Sequence, residues 1–184
     1  MNDQDIRQKD IFPAWLNSLN SDAKVLLLAL QNAELPVEMR RFLAGGINYF
    51  FKSLDLIPDG TQDIGYLDDA FILRLSARAA LEAAPGGAED ASLGELKALA
   101  AQVKVIADFL GEELFSRIDR YARALIKGAA RGRTVDDIVE QADVLQSLVA
   151  EAEAFLASYN PPQFLGDEKN LIKLKAFFDA KLPK

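Results

Sequence analysis

The sequence predicts an all-α protein, a compact bundle of about six or seven helices. Apolar residues recur at the three- and four-residue spacing of a single helix face through most of the 184 residues. No segment shows the convincing alternation of apolar and polar residues that a half-buried strand requires. A chain of this length can bury a proper core within one domain.

The first half of the chain contains three predicted helices. Ser21 is suited to cap a first helix over "DAKVLLLALQNAEL", which ends before Pro36. A second helix is expected from about Val37 to Phe51. A third is expected from about Asp68 to near Pro85.

The segment "PGGAEDA", residues 85–91, reads as a flexible connection and is the best internal boundary. It separates a helical part over residues 1–84 from another over 92–184, and we expect the two to pack as one globular unit. "SLGE", residues 92–95, has the form of a capping box. The expected elements that follow are a helical region to about Lys127 that Gly111 interrupts, a turn at 128–133, a helix opened by Thr134 to about Ser158, and a last helix from Asp167 through Leu182.

The composition excludes several classes of function. The chain has no cysteine, so disulfides, iron–sulfur ligation, thiolate nucleophiles and cysteine zinc sites are impossible. It has no histidine, which excludes Ser-His-Asp and Cys-His catalysis and histidine-ligated metals. A metal site would have to use oxygen ligands, which favours Mg²⁺, Ca²⁺ or Mn²⁺. The formal charge of −7 argues against broad binding to nucleic acid, and we expect no nucleic-acid partner.

The sequence predicts a cytoplasmic protein. Its start, "MNDQDIRQKD", is polar and lacks the apolar stretch of a signal peptide. The longest strongly apolar run, Phe42 to Phe51, is far shorter than the roughly 20 apolar residues that a membrane-spanning helix needs. We therefore expect no transmembrane segment.

Five aspartates are concentrated in the segment "SLDLIPDGTQDIGYLDD", Ser53 to Asp69, and two hypotheses account for them. In the first, the segment is a turn between two helices: Pro58 ends the preceding helix, Asp68 caps the next one, and Asp69 interacts with its dipole. In the second, the carboxylates converge on Mg²⁺ or Ca²⁺. The spacing does not match an EF-hand. The proposed ligands are Asp55, Asp59, Asp63, Asp68 and Asp69.

An apolar segment that ends near Tyr49 is followed by "DLIPD" at residues 55–59 and by "GYLDD" at residues 65–69. With these motifs, residues 42–81 resemble the core of the YkvA-like family, domain of unknown function 1232. Members of that family share an apolar helix ending near a tyrosine, a D-x-I-P-D element and a G-x-x-D-D element that opens another apolar helix. This chain departs from the family pattern at Ser53 and at the polar "GTQD" of residues 60–63. The resemblance implies no biochemical activity, although some relatives look membrane-associated. The matching positions are Tyr49, Asp55, Ile57, Pro58, Asp59, Gly65, Asp68 and Asp69.

A basic stripe is predicted on the helix over "EELFSRIDRYARALIKGAARGR", within roughly a third of its circumference. It could bind an anionic lipid head group, an acidic partner segment or a phosphorylated ligand. The alternative is pairing within the chain, with Asp136, Asp137, Glu140 and Asp143 of the following helix. The stripe consists of Arg117, Arg120, Arg123, Lys127 and Arg131.

Both ends of the chain have amphipathic segments. "IFPAWLNSL" places Phe12, Trp15, Leu16 and Leu19 at helical spacing. "LIKLKAFFDAKL" has an apolar face bordered by lysines. Such a helix closes its own bundle, contributes to self-association, or lies on a membrane surface or in a partner's groove.

These observations favour a non-enzymatic soluble protein that needs no cofactor and acts by contact with a protein partner or by self-association. One alternative is peripheral membrane association through the basic stripe or the C-terminal helix. Another is a Mg²⁺- or Ca²⁺-binding protein, or a Mg²⁺-dependent enzyme acting on a phosphate substrate, that uses the aspartate segment.

Overall fold

The computed structural model describes residues 3–51, 56–58, 61, 64–83, 93–164 and 168–184, with residues 3–9 described by their backbone alone. In these ranges the chain is a helical bundle, which confirms the all-α prediction. A 3₁₀ segment (Leu125–Lys127) and two-residue strands β1 (Ala129–Ala130) and β2 (Arg133–Thr134) interrupt the helices. The helices are α1 (Asp3–Gln31), α2 (Val37–Tyr49), α3 (Leu67–Glu82), α4 (Gly94–Ala101), α5 (Val103–Leu110), α6 (Glu112–Ala124), α7 (Val135–Glu140), α8 (Ala142–Ser158) and α9 (Glu168–Lys181).

Helix α1 is longer than predicted, because it joins the amphipathic N-terminal segment to the first predicted helix. Phe12, Leu16 and Leu19 are fully buried and continue the apolar stripe that Leu26 and Leu30 extend. The packing of this stripe outweighs the presence of Pro13 inside the helix. The predicted cap at Ser21 is wrong: its hydroxyl donates to the carbonyl of Ser18 at 2.8 Å within the continuous helix.

Helix α2 approaches its neighbours closely at two consecutive glycines. A Cβ atom on Gly46 would lie 2.6 Å from Oγ and 2.7 Å from Cβ of Ser76 in α3. A Cβ atom on Gly45 would lie 3.2 Å from the backbone carbon and from Cβ of Leu125 in the 3₁₀ segment. Because glycine has no side chain, α2 can approach both α3 and the 3₁₀ segment this closely.

Helix α3 is the central element of the core. The Phe71 ring stacks on Phe178 of α9, with ring centroids 5.4 Å apart. It also contacts Phe12 of α1 at 5.3 Å and Phe109 of α5 at 6.3 Å. This aromatic cluster joins residues from both sides of the segment at 84–92.

The second half of the chain forms more and shorter helices than predicted. The region predicted to run to Lys127 forms α4, α5 and α6, because the chain turns at Gln102 and at Gly111, where φ is +79°. Thr134 begins α7 as predicted, through a capping box with Asp137. The helix predicted to reach Ser158 is interrupted at Gln141, whose backbone is extended. The helices are thus more numerous than the six or seven expected.

The turn predicted at residues 128–133 is a short antiparallel hairpin that pairs Ala129 with Thr134 and Ala130 with Arg133. The predicted caps at Ser92 and Asp167 lie outside the described residues. None of the described helices combines the length and the apolar character that a membrane crossing requires.

Candidate functional site

The aspartate segment contains a buried polar cluster between the end of α2 and the start of α3. The Asp68 carboxylate is fully buried, and its Oδ2 accepts hydrogen bonds from the Tyr49 hydroxyl at 2.6 Å and from the Ile57 amide at 3.0 Å. The Tyr49 hydroxyl accepts from the Leu56 amide at 2.9 Å. Tyr49 and Asp68 therefore hold the backbone of residues 56–57 between the two helices.

The predicted role of Asp68 as a helix cap is wrong. The cap residue of α3 is Tyr66, in a left-handed conformation with φ of 66°, and it makes no side-chain cap hydrogen bond. Asp68 is the second residue of the helix, and its carboxylate contacts Tyr49 and Ile57 instead. Asp69 lies in the first turn and is buried, where a negative charge interacts favourably with the helix dipole.

Apolar residues explain why these carboxylates are buried. Leu56, Ile57, Ile64 and Leu67 are buried. Their burial brings the polar atoms between them out of contact with water, where each must find a hydrogen-bond partner. The apolar positions thus determine where the segment lies, and the hydrogen bonds of Asp68 determine its conformation.

The Tyr49 hydroxyl stays protonated, and so can donate a hydrogen bond, over an unusually wide pH range. Burial raises the pKa of Tyr49 well above its ordinary value, and the negative charges of Asp68 and Asp69 raise it further. The hydrogen bond that Tyr49 donates to Asp68 acts in the same direction, while the bond from the Leu56 amide lowers the pKa. The phenol therefore remains protonated and keeps donating to Asp68.

Replacing Tyr49 with phenylalanine should destabilise the fold by about 1–3 kcal/mol. The substitution removes the acceptor of the Leu56 amide and a donor to the buried Asp68 carboxylate while keeping the ring. Urea denaturation followed by circular dichroism measures the effect. A loss below about 0.5 kcal/mol would contradict the assigned role of the cluster.

Tyr49 should also contribute to alkaline unfolding. Because its pKa is raised in the folded state, its contribution to stability is complete below the unfolded pKa of about 10 and is lost as pH rises above that value. The free energy of unfolding of the wild type should therefore fall more steeply above about pH 10 than that of Tyr49→Phe. Parallel slopes for the two proteins would contradict the pKa direction.

The metal-site hypothesis concerns residues that the structure describes only in part. Asp55, Asp59 and Asp63 lie outside the described residues. Among the residues that are described, no group of three or more acidic side chains is arranged to hold a metal ion. The binding of Mg²⁺ or Ca²⁺ by the five aspartates stays a prediction.

The basic stripe does not present five free cations. Arg117 is buried, and its Nη1 lies 2.6 Å from Oδ1 of Asp179. Its guanidinium also donates to the carbonyls of Asp179, Leu182 and Pro183 at 2.7–3.1 Å. These carbonyls lie in the last turn of α9 and just after it, where a cation complements the helix dipole. Arg117 thus attaches the end of α9 to α6.

Two other members of the stripe are paired within the chain. Arg123 contacts Asp119 at 2.9 Å and Glu82 at 2.5 Å, and Arg131 contacts Glu151 at 3.2 Å. Within the described part of the chain, the exposed Arg120 and Lys127 form no ion pair.

Three of the four carboxylates predicted to pair with the stripe have other partners. Asp136 and Glu140 lie 3.0 and 4.0 Å from Arg41 of α2, and Asp137 caps α7 through Thr134. The hairpin turns α7 toward α2, which explains why the expected pairs do not form.

A buried ion pair between α1 and α3 was missed by sequence reasoning. Arg74 is only 1% exposed, and its Nη2 lies 2.7 Å from Oδ2 of Asp22. Its Nε donates to Gln102 at 2.8 Å, and its guanidinium lies 4.0 Å from the centroid of the Trp15 ring. The signal in the sequence was one arginine inside the apolar run of α3 and one aspartate at the start of the apolar run of α1.

Arg133 forms a second pair that was not predicted. Its two terminal nitrogens lie 2.8 and 3.0 Å from the carboxylate oxygens of Glu151 in α8, and its Nε donates to Asn48 of α2 at 3.4 Å. These hydrogen bonds hold the pKa of Glu151 below its usual range. The pair connects the hairpin, α2 and α8.

The surface carries an apolar groove of about 230 Å³ between α1 and α4, here called the α1–α4 groove. Leu28, at its wall, is 68% exposed. Glu95 is its one charged lining residue in the described part of the chain. The lining residues are Val25, Leu28, Ala29, Asn32, Leu35, Leu93, Glu95 and Leu96.

Comparison with known proteins places the buried cluster in a known family segment. No curated protein and no solved structure matches the chain. A family model described as "Protein of unknown function (DUF1232)" matches residues 40–75, about a fifth of the chain. This range includes Gly46, Tyr49 and Asp68, which lie between α2 and α3, and Arg74, which attaches α3 to α1. The match confirms the resemblance seen in the sequence: residues 40–75 are similar to the DUF1232 family of proteins of unknown function.

Proposed function

We propose that this protein is a non-enzymatic helical module that binds a protein partner through the α1–α4 groove. The observation that carries the proposal is the exposure of Leu28 on a groove lined mainly by aliphatic side chains. A large aliphatic side chain left in contact with water beside a concave apolar wall loses part of the hydrophobic stabilisation that a partner would restore. Helical grooves of this kind bind amphipathic helices in many complexes.

The polar residues of the family segment support a structural role for that segment. Tyr49 and Asp68 bind each other and the backbone of residues 56–57, and Arg74 binds Asp22. These groups are buried and serve to set the angle between α2 and α3 and to attach α1 to α3. In this proposal the segment provides the rigid frame, and recognition occurs at the exterior.

Photo-crosslinking from position 28 tests the proposal. A photoreactive amino acid at Leu28 should crosslink one specific protein in the source cell, which is then purified and titrated against the wild type. Leu28→Asp should weaken that binding by roughly tenfold or more, because a buried leucine side chain contributes about 1.5–3 kcal/mol.

Val37→Asp is the matched control. Val37 is also an exposed aliphatic residue, 46% exposed, but it does not line the groove. Its substitution should leave the affinity unchanged. Equal losses for the two variants, or no loss for Leu28→Asp, would contradict a binding role of the groove.

A further inference from the structure

We propose that the partner in the α1–α4 groove is a second copy of this chain, which inserts Ile172 of its α9. This inference rests on the proposed function and names the partner. Three observations support it: the outward face of α9, the distribution of charge along the chain, and the size of the groove.

Helix α9 has a buried face and an outward face. Leu171, Leu174 and Phe178 are buried, and Phe178 stacks on Phe71 of α3. On the outward face Ile172 is 62% exposed. Leu28, Val37 and Ile172 are the exposed large aliphatic residues of the described chain, and Ile172 is the one that α9 presents.

Helix α9 is held against the bundle on both sides of Ile172. Arg117 binds carbonyls at the end of the helix, and Phe178 in its last turn stacks on Phe71. Leu171 and Leu174, which flank Ile172, are buried. Because the helix is already docked, inserting Ile172 into a groove orders little additional chain.

The charge distribution favours contact between copies. Residues 168–184 contain five lysines and two acidic residues, a net charge of +3. Because the whole chain has a formal charge of −7, residues 1–167 carry −10. Lys169 and Lys173 lie beside Ile172, and Glu95 is the charged residue that lines the groove. The C-terminal helix of one copy is thus attracted to the acidic remainder of another.

The groove has room for the inserted side chain. Its volume of about 230 Å³ exceeds the roughly 150 Å³ of an apolar cavity that admits benzene. The proposed contact is heterologous: each dimer uses the groove of one copy and α9 of the other, and leaves one groove and one α9 free. A contact of this size is expected to be weak and dependent on protein concentration.

Sedimentation velocity tests the inference with two single variants and their mixture. The wild type should sediment faster as its concentration rises from roughly 10 µM to 1 mM. Leu28→Asp lacks a working groove, and Ile172→Asp lacks the inserted side chain, so each variant alone should associate at least about tenfold more weakly. Both positions are exposed, and Val37→Asp is the matched control that should associate like the wild type.

The equimolar mixture of Leu28→Asp and Ile172→Asp gives the decisive result. The first variant still has an intact Ile172 and the second an intact groove, so the mixture should form a 1:1 dimer with wild-type affinity. Raising the salt concentration from about 50 to 500 mM should weaken that dimer several-fold, because the charge attraction is screened.

Three results would overturn the inference. They are a wild type that stays monomeric throughout the concentration range, a mixture that does not associate, and an Ile172-dependent sedimentation with anionic phosphatidylserine vesicles in a monomeric protein. If Leu28 crosslinks a different protein while the wild type is monomeric, the proposed function stands and the second-copy inference fails. If Leu28→Asp changes neither the binding of the crosslinked partner nor self-association, the proposed function and the second-copy inference both fail.

Discussion

Replacing Asp22 with alanine is expected to destabilise the fold by about 3–5 kcal/mol. The change leaves the Arg74 guanidinium, which is only 1% exposed, without the carboxylate 2.7 Å away. Burial already lowers the pKa of Arg74 to about 10, and the charge of Asp22 opposes that shift. Without Asp22, the remaining contacts of Arg74 with Gln102 and the Ala70 carbonyl do not compensate its charge.

Chemical denaturation measures this loss, and two variants make the result specific. Asp108→Ala removes an exposed i,i+4 pair with Lys104 and should cost no more than about 0.5 kcal/mol. The double variant Asp22→Ala/Arg74→Met should be more stable than Asp22→Ala, because no unpaired charge is then buried. If Asp22→Ala costs under about 1 kcal/mol, the pair does not have the importance assigned to it.

Gly46→Ala is expected to destabilise the fold by about 1–3 kcal/mol, with the opposite sign to the usual effect of this substitution in a helix. Alanine at an ordinary helical position stabilises by up to about 1 kcal/mol relative to glycine. At Gly46 the added Cβ would lie 2.6–2.7 Å from Oγ and Cβ of Ser76, so α2 and α3 would have to separate. Overpacking at this contact should outweigh the gain in helix propensity.

Thermal and urea denaturation of a double-mutant cycle test the Gly46 contact. Ser76→Gly should partly rescue Gly46→Ala because it removes both clashing atoms, whereas Ser76→Ala leaves the Cβ in place and should rescue less. Gly94→Ala is the control: nothing lies within 4 Å of a Cβ there, and the variant should be neutral or slightly stabilised. Additive effects of Gly46→Ala and Ser76→Gly would contradict a direct contact.

The elements that sequence reasoning placed well are those whose signals are local. The start of α2 at Val37, the interruption at Gly111 and the cap at Thr134 depend on residues within one or two turns. The errors arose where distant packing overrides a local signal. Ser21 is a suitable cap, yet the buried stripe on both sides of it extends α1 through that position.

The sequence identified residues of the candidate site, but it did not predict which of them contact each other. Tyr49, Ile57 and Asp68 were identified as family positions, but the hydrogen bonds among them join residues up to 19 positions apart. The Asp22–Arg74 pair is separated by 52 positions, and no periodicity within either helix indicates the partner in the other. The groove at Leu28 likewise depends on where α4 lies against α1.

The sequence by itself determined that the protein is helical, that it has no thiol or imidazole side chain, and that residues 40–75 are similar to the DUF1232 family. These properties depend on composition and on the 3.6-residue helical period, both of which can be read within short segments. Only the tertiary structure decided that Arg117 binds the end of α9, that Asp68 binds Tyr49, and that Leu28 is left exposed. The partner of a side chain depends on which helices cross and at what distance, because burial and pairing arise from contacts between segments far apart in the chain.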